Sequence, residues 1–264
     1  MKNPKISIIT PSYNQANFLE ETIFSVINQD YKNIEYIIID GHSTDNSIQI
    51  IKKYEKYLTY WVSERDDGQS DAIHKGFRKA TGDILCWLNS DDFFVKGALN
   101  NVARHFEKNS KTDILIGDGM YANKKGEIIK YYRYITPRSL LSKNGVLAFC
   151  QQSMFFNKKY YFKSGEISKN LHYCMDSEFI YRSIEQKCSF SVMHKPSGVF
   201  RWHDSMKSLN TSSVKKKEMK NIAKKYHYKF PFMKITKFIY ILIQIINFNY
   251  IISSIRLFKI KIMK

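Results

Sequence analysis

The sequence predicts an α/β fold in which a mostly parallel sheet is flanked by helices and followed by a basic, apolar, helical C-terminal segment. Short β-rich runs alternate with amphipathic stretches through the first hundred residues. The strand-like runs are nearly continuous in isoleucine, as in Tyr36, Ile37, Ile38 and Ile39, which implies burial on both faces and hence a parallel sheet covered by helices. A length of 264 residues with 44% hydrophobic and 25% charged composition supplies one sizeable core, and it rules out intrinsic disorder and a disulfide-stapled miniprotein.

Residues 5–10, 34–40, 59–63 and 84–88 read as strands, and 18–29, 45–57, 70–80 and 97–109 as the helices between and after them. Ser43, Thr44 or Asp45 is available to cap the second helix. The pattern then loosens. A hairpin is expected across 123–126, a helix after Pro137, a strand at 153–156, a helix over 176–186 and a final strand at 199–202. The only compositional break falls after Asn210, dividing a domain at 1–210 from a tail at 211–264.

Charge follows the same division. The tail holds 13 basic residues against the single acid Glu218, so it carries +12 of the chain's net +18. Its cations are mixed with Ile, Phe and Tyr, which suits an anionic membrane surface better than nucleic acid, and no nucleic-acid partner is expected. Residues 238–255 carry no charge and just reach the length of a minimal transmembrane helix. Their polar residues and flanking lysines favour a helix lying in the interface over one that crosses. Cys86, Cys150, Cys174 and Cys188 show no metal-ligand spacing and read as reduced thiols, and no apolar leader precedes the first strand. Together these predict a cytoplasmic protein, peripheral on the inner face of the cell membrane.

In an open parallel sheet, ligands bind beyond the carboxyl ends of the strands, where loop amides and helix N-termini converge. The four predicted strand ends lead into Pro11-Ser12-Tyr13-Asn14-Gln15, Asp40-Gly41-His42-Ser43-Thr44-Asp45, Glu64-Arg65-Asp66-Asp67-Gly68-Gln69-Ser70-Asp71 and Asn89-Ser90-Asp91-Asp92. Any one of these is an ordinary turn or helix cap, but four polar clusters at one edge are not. Asp91 and Asp92 are adjacent carboxylates after a very apolar strand, and such like charges repel unless a cation lies between them and a partner. A hard divalent ion, Mg²⁺ or Mn²⁺, with substrate phosphates completing its shell would supply that charge. There is no GxxxxGK[ST] and no GxGxxG, so kinase, ATPase and dehydrogenase readings lose support.

With these motifs in this order and spacing, residues 5–95 resemble family-two inverting glycosyltransferases of the GT-A fold, a Rossmann-like nucleotide-diphospho-sugar transferase architecture, and weaker similarity extends to about residue 205. The resemblance implies a nucleotide-binding half at 1–95 and an acceptor half at 96–210. It implies that Pro11, Tyr13 and Asp40 line the nucleoside pocket and that Gln69 and Asp71 contact the donor sugar or diphosphate. Asp92 would be the more direct metal ligand, with Asp91 nearer the ribose or sugar. Arg65 stands where proline is common and His74 where asparagine is common, both bearing on the shape of the donor-sugar pocket. The implied donor is a nucleotide-diphosphate sugar, most readily a UDP-sugar, and the acceptor a lipid-linked or growing glycan.

Inverting transfer needs a base for the acceptor hydroxyl. Tyr173-Cys174-Met175-Asp176-Ser177-Glu178 resembles the family's acidic motif, in which Asp176 is the base, and Glu178 is the alternative, roughly 200° around the helix. His203, in Arg201-Trp202-His203, is a candidate third metal ligand or diphosphate contact, and Arg201 a candidate for neutralising the leaving group. Two other classes compete. A nucleotidyltransferase would show a Gly-rich basic loop after the first strand, which Pro11 to Gln15 lacks. A non-enzymatic RNA- or membrane-binding protein would leave the four polar strand ends without a purpose.

Overall fold

The isoleucine run of the second strand divides by parity. In the computed structural model, which describes residues 1–137, 147, 149–209, 212–227, 233–246 and 252–257, Tyr36 and Ile38 face one hydrophobic core while Ile37 and Ile39 face another. The strands β1 (Ile6–Ser12), β2 (Ile34–Asp40), β3 (Tyr60–Ser63) and β4 (Ile84–Trp87) are all parallel, in the order β3-β2-β1-β4. Helices α1 (Ala16–Ile27), α2 (Ser47–Lys53) and α4 (Ala98–Lys108) cover the first face, through Leu19, Ile23, Ile51, Val102 and Phe106. Helix α3 (Gln69–Lys79) covers the second through Ala72, Ile73 and Phe77. It approaches so closely that a Cβ on Gly76 would come within 2.5 Å of the Ile9 side chain. Strands buried on both sides are what a continuous apolar run requires. The second helix stops at Lys53 and gives way to a 3-10 turn at Glu55–Tyr57, and Asp45 at its entrance accepts the N–H groups of Ser47 (2.9 Å) and Ala16 (2.9 Å).

The rest of the sheet, nine-stranded among the described residues, is mixed in direction. The short β5 (Phe93–Phe94) forms its far edge, β6 (Ile114–Ala122) and β7 (Ile128–Tyr132) form the expected hairpin, with Gly126 at φ 79°, and β8 (Met154–Asn157) joins β4 to β6 by antiparallel pairing. Helices α5 (Lys158–Ser164) and α6 (Met175–Glu185) complete the second core through Tyr161, Phe179 and Ile180. The final strand β9 is far longer than expected, running Phe190–Arg201 parallel to β6. Its middle contains His194-Lys195-Pro196. The proline is accommodated where the ladder slips around Asp118. The helix expected after Pro137 lies outside the described residues.

The compositional break at residue 210 is not a break in packing. Helix α7 (Ser213–Lys225) buries Ile222 and Tyr226 against Cys174 and Tyr181. Its Glu218, 6% exposed, accepts the backbone N–H groups of His172 (2.7 Å), Tyr173 (2.9 Å) and Cys174 (3.0 Å). Further on, Arg256 pairs with the buried Asp118 (3.0 Å), donates to the His194 carbonyl (2.8 Å) and bonds the Tyr131 hydroxyl. Between them, helix α8 (Met233–Ile246) leaves Ile235, Phe238, Ile241, Ile245 and Ile246 exposed. No helix of the described residues is long and apolar enough to cross a membrane. Cys86, Cys150 and Cys174 are buried, Cys188 is partly so, and all four are free thiols.

Candidate active site

Because β1 to β4 run in parallel, with Ser12 opposite Asp40 and Asp40 opposite Ser63, their loops emerge at one edge. That edge forms one wall of a cavity of about 1040 Å³. Pro11, Ser12, Tyr13 and Gln15 contribute from the first loop, Gly41, His42 and Thr44 from the second, Arg65, Asp66, Gly68 and Gln69 from the third, and Asn89, Ser90 and Asp91 from the fourth. Tyr13 is 60% exposed, a large ring held in solvent at the mouth. Trp87 and Ser12 lie in the wall, almost wholly buried, and neither the indole N–H nor the hydroxyl finds a partner among the described residues. Orphaned polar groups of this kind are costly unless something bound there satisfies them.

The expected donor contacts separate into two groups. Pro11, Tyr13, Gln69 and Asp91 line the cavity. Asp40 and Asp71 do not. Asp40 is fully buried behind the loop, where its carboxylate accepts from Ser43 N–H (2.9 Å), Ser43 Oγ (2.6 Å) and Ser63 Oγ (2.7 Å). It shapes the turn that presents Gly41 and His42. Asp71 turns toward Lys75 and Lys169, at 3.3 Å each. Burial pushes its carboxyl up, but the Asp67 N–H and the two lysines outweigh this and leave it below the usual carboxylate range. Arg65 lines the cavity, whereas His74 pairs with Glu166 (3.1 Å).

The adjacent carboxylates Asp91 and Asp92 have different surroundings. Asp92 is 1% exposed, and its oxygens accept from Gln152 Nε2 (2.6 Å), Asn89 Nδ2 (3.0 Å) and Arg201 N–H (2.9 Å). Burial and then the neighbouring Asp91 hold its carboxyl well above the ordinary range. A carboxylate engaged by three donors and absent from the cavity wall does not fit the role of the more direct metal ligand. Asp91 lines the cavity and meets His203 Nε2 at 3.0 Å, and the other ring nitrogen of His203 bonds Ser205 Oγ at 2.9 Å. Asp91 is the carboxylate of the pair that faces the cavity, whereas His203, 2% exposed and absent from the cavity wall, has both ring nitrogens engaged and so does not fit the third metal ligand expected of it. No cluster of three or more His, Cys, Asp or Glu placed to hold a metal occurs among the described residues. Arg201 is 1% exposed and its guanidinium is committed to the Asp91 carbonyl (2.9 Å), the Lys124 carbonyl (3.1 Å) and Glu21 (2.6 Å). It ties the end of β9 to the acidic loop and cannot neutralise a leaving group.

Across the cavity, Asp176 and Ser177 open α6. Burial raises the Asp176 carboxyl above its usual range, opposed by the Ser177 N–H (2.6 Å) and by Lys215. Glu178 points elsewhere, to Arg182 (3.3 Å), Lys225 (2.9 Å) and the Tyr226 hydroxyl. Of the two carboxylates considered for the base, only Asp176 reaches the cavity.

Several contributors escape sequence reasoning. Asp66 faces the cavity, with burial holding its carboxyl above the usual range against the hydrogen bond it accepts from Gly68 N–H (2.8 Å). A side chain at Gly41 would collide with it. Gln151 donates to the Trp87 carbonyl (2.8 Å), and Gln152 holds Asp92. Two consecutive amides inside the apolar run 147–156 are a readable sign of a buried polar role. Lys207, Lys215 and Met219 line the far wall, although the last two belong to the tail by composition.

The family model for Glycosyl transferase family 2 matches residues 7–166. The chain belongs to that family. An uncharacterized glycosyltransferase of Haemophilus influenzae is 41% identical over 102 residues, 38% of this chain and 41% of its own length. The putative teichuronic acid biosynthesis glycosyltransferase TuaG of Bacillus subtilis is 37% identical over 101 residues, 36% of this chain and 39% of its own. The matches thus span about two-fifths of these relatives. Among solved structures, S. aureus TarS 1-349 in complex with UDP-GlcNAc superposes with a TM-score of 0.65 at 18% identity, covering 83% of this chain and 65% of that one. The mannosyltransferase PcManGT of Pyrobaculum calidifontis, in complex with GDP-Man and Mn²⁺, gives 0.61 at 16% identity, covering 89% and 68%. The fold is GT-A, with a curled sheet whose parallel half bears the polar loops.

Proposed function

We propose that this family-two chain is an inverting glycosyltransferase, hexosyl or N-acetylhexosaminyl in type, that moves a sugar from a UDP-sugar to a glycan or lipid-linked acceptor. One observation carries the reading: a cavity of about 1040 Å³ has the four strand-end loops as one wall and Asp176 in the other. The volume suits a nucleotide-sugar with an acceptor beside it. The nucleotide-diphosphate sugars in the two solved neighbours support this donor class.

The nucleoside would lie against Pro11 and Tyr13, with Asp66 and the Trp87 indole offering a carboxyl and an N–H toward bound polar groups. Asp91, its carboxylate held from behind by His203, would hold a hard divalent cation, Mn²⁺ or Mg²⁺, with most of the shell left to phosphate oxygens. When bound, that ion supplies positive charge against the leaving diphosphate. Gln69, fixed by Asn89 (2.8 Å), stands beside the same loop. Asp176 takes the proton of the acceptor hydroxyl as its oxygen attacks the anomeric carbon, and its raised carboxyl makes it a stronger base once ionised. Attack from the wall opposite the leaving group inverts the anomeric centre.

The exposed apolar face of α8, set in a tail of +12 net charge, supports attachment to an anionic membrane at the cytoplasmic face. A thermal-shift panel of UDP-, GDP- and dTDP-sugars with and without Mn²⁺ tests the donor assignment. Stabilisation by UDP-sugars that depends on the ion is expected, and no response to any nucleotide would refute the reading.

A further inference from the structure

The second hydrophobic core surfaces in the reaction cavity at one place. Of its buried members among the described residues, Ala72, Trp87 and Met175 line the cavity. Chain position fixes where that patch lies. Ala72 is one turn along α3 from Gln69, Trp87 ends β4 just before Asn89 and Asp91, and Met175 directly precedes Asp176. The patch is therefore flanked by the side chains assigned to the diphosphate and by the one assigned to the acceptor proton, which is where a transferred sugar has to sit. Its central ring is fixed. Trp87 packs edge-on against Phe77 (6.2 Å between ring centres) and against Phe156 (5.9 Å), and its carbonyl accepts from Gln151 Nε2 (2.8 Å). The indole N–H is almost wholly buried and has no acceptor among the described residues.

Most polar groups of a sugar are hydroxyls, which both give and take hydrogen bonds. A hydroxyl set on this patch could accept from the indole, but its own hydrogen would face a methyl, a thioether and an aromatic ring, none of which is a good acceptor. An acetamido group meets both features of the patch at once. Its carbonyl oxygen needs only a donor, which the indole is, and its methyl needs an apolar seat, which Ala72 and Met175 provide. A methyl alone, as at a deoxy carbon, would leave the N–H stranded. We propose that Trp87, Ala72 and Met175 form an acetamido pocket, so that the sugar carried by the donor is an N-acetylhexosamine. The inference deepens the glycosyl-transfer reading above and rests on it.

The test measures, by calorimetry on the full chain with saturating Mn²⁺, the affinities of UDP, UDP-GlcNAc, UDP-GalNAc, UDP-glucose and UDP-galactose. At least one of the two N-acetylated donors should bind about ten-fold more tightly than its hydroxyl counterpart, the combined effect of one hydrogen bond and one buried methyl. Trp87→Phe, which keeps a ring in the core and removes the N–H, should cut that preference several-fold while UDP affinity is retained, and its thermal midpoint reports whether the variant folds. Ala72→Val, which fills the methyl seat without touching the indole, should do the same and stands in if Trp87→Phe does not fold. Equal affinities for acetamido and hydroxyl donors, or a preference that neither variant reduces, would overturn the pocket and leave the donor class intact. Failure of UDP and of all four sugars to bind would instead overturn the donor reading, and the pocket with it.

Discussion

The cavity has two walls of different origin. The donor-side wall consists of short loops, each within a few residues of a parallel strand's carboxyl end, so its residues are placed by local chain geometry. The far wall brings together the start of α6, the turn after β9 and the first turn of α7, segments joined only by long-range contacts such as Glu218 to 172–174. The first wall has the stiffness of the sheet beneath it. The second depends on a few buried polar bonds.

The largest effect expected of a single change that separates the walls is at Asp176. Asp176→Asn should lower transfer by about 10² to 10⁴ while leaving UDP-sugar affinity near wild type, measured by turnover and calorimetry side by side. An equal loss in donor affinity would mean the two walls do not divide the work. Next come the two neighbouring aspartates. Asp92→Ala should cost on the order of 3 kcal/mol of stability, because the Gln152 and Asn89 amides and the Arg201 N–H lose their buried acceptor. Asp91→Ala should cost less, because only the His203 ring loses a partner, and should lose the divalent-ion dependence of UDP binding. Thermal melts with and without Mn²⁺ distinguish the two, and a reversed pattern would return the metal to Asp92.

The far wall is probed by Glu218→Ala, expected to cost about 2 kcal/mol by stranding amides at 172–174. A chain ending at residue 210 should melt lower than one ending at 227, because only the longer one retains Glu218. Equal melting would show that α7 is dispensable to the wall. The smallest effect is again at Asp176. Burial raises its carboxyl above the unfolded value, so its contribution to stability is full below the unfolded pKa and is lost as pH rises through the folded one. Asp176→Asn should therefore raise stability by about 0.5 kcal/mol at neutral pH. The gain should shrink on acidification, while wild-type turnover falls as the same group takes up its proton. A gain independent of pH would contradict a desolvated carboxylate.

The same division decides what could be read in the sequence. The strands and helices of the first hundred residues were legible because apolar periodicity and burial coincide there, and the strand-end loops followed from them. β9 was legible only in its last residues, since a proline in a central strand is tolerable only where the ladder slips, which requires knowing the partner strand. Asp91 and Asp92 look alike as neighbours, and only the long-range arrival of Gln152 and Arg201 distinguishes them. Arg201 looked like an anion binder because a sequence does not show that Glu21 and two carbonyls already hold it. Composition placed α7 in a tail because its lysines outnumber its core residues, yet Glu218 and Ile222 join it to the body.

Arg256 gives the C-terminal segment a fixed return address. Tyr226 stacks on Tyr181, and Arg256 meets the fully buried Asp118. The exposed apolar face of α8 lies between these two tethers. A bilayer-crossing path would have to pull an arginine off a buried carboxylate, leaving a charge without its counter-ion inside the protein. In the membrane attachment proposed above, these two tethers would keep α8 on the surface of the bilayer and not across it.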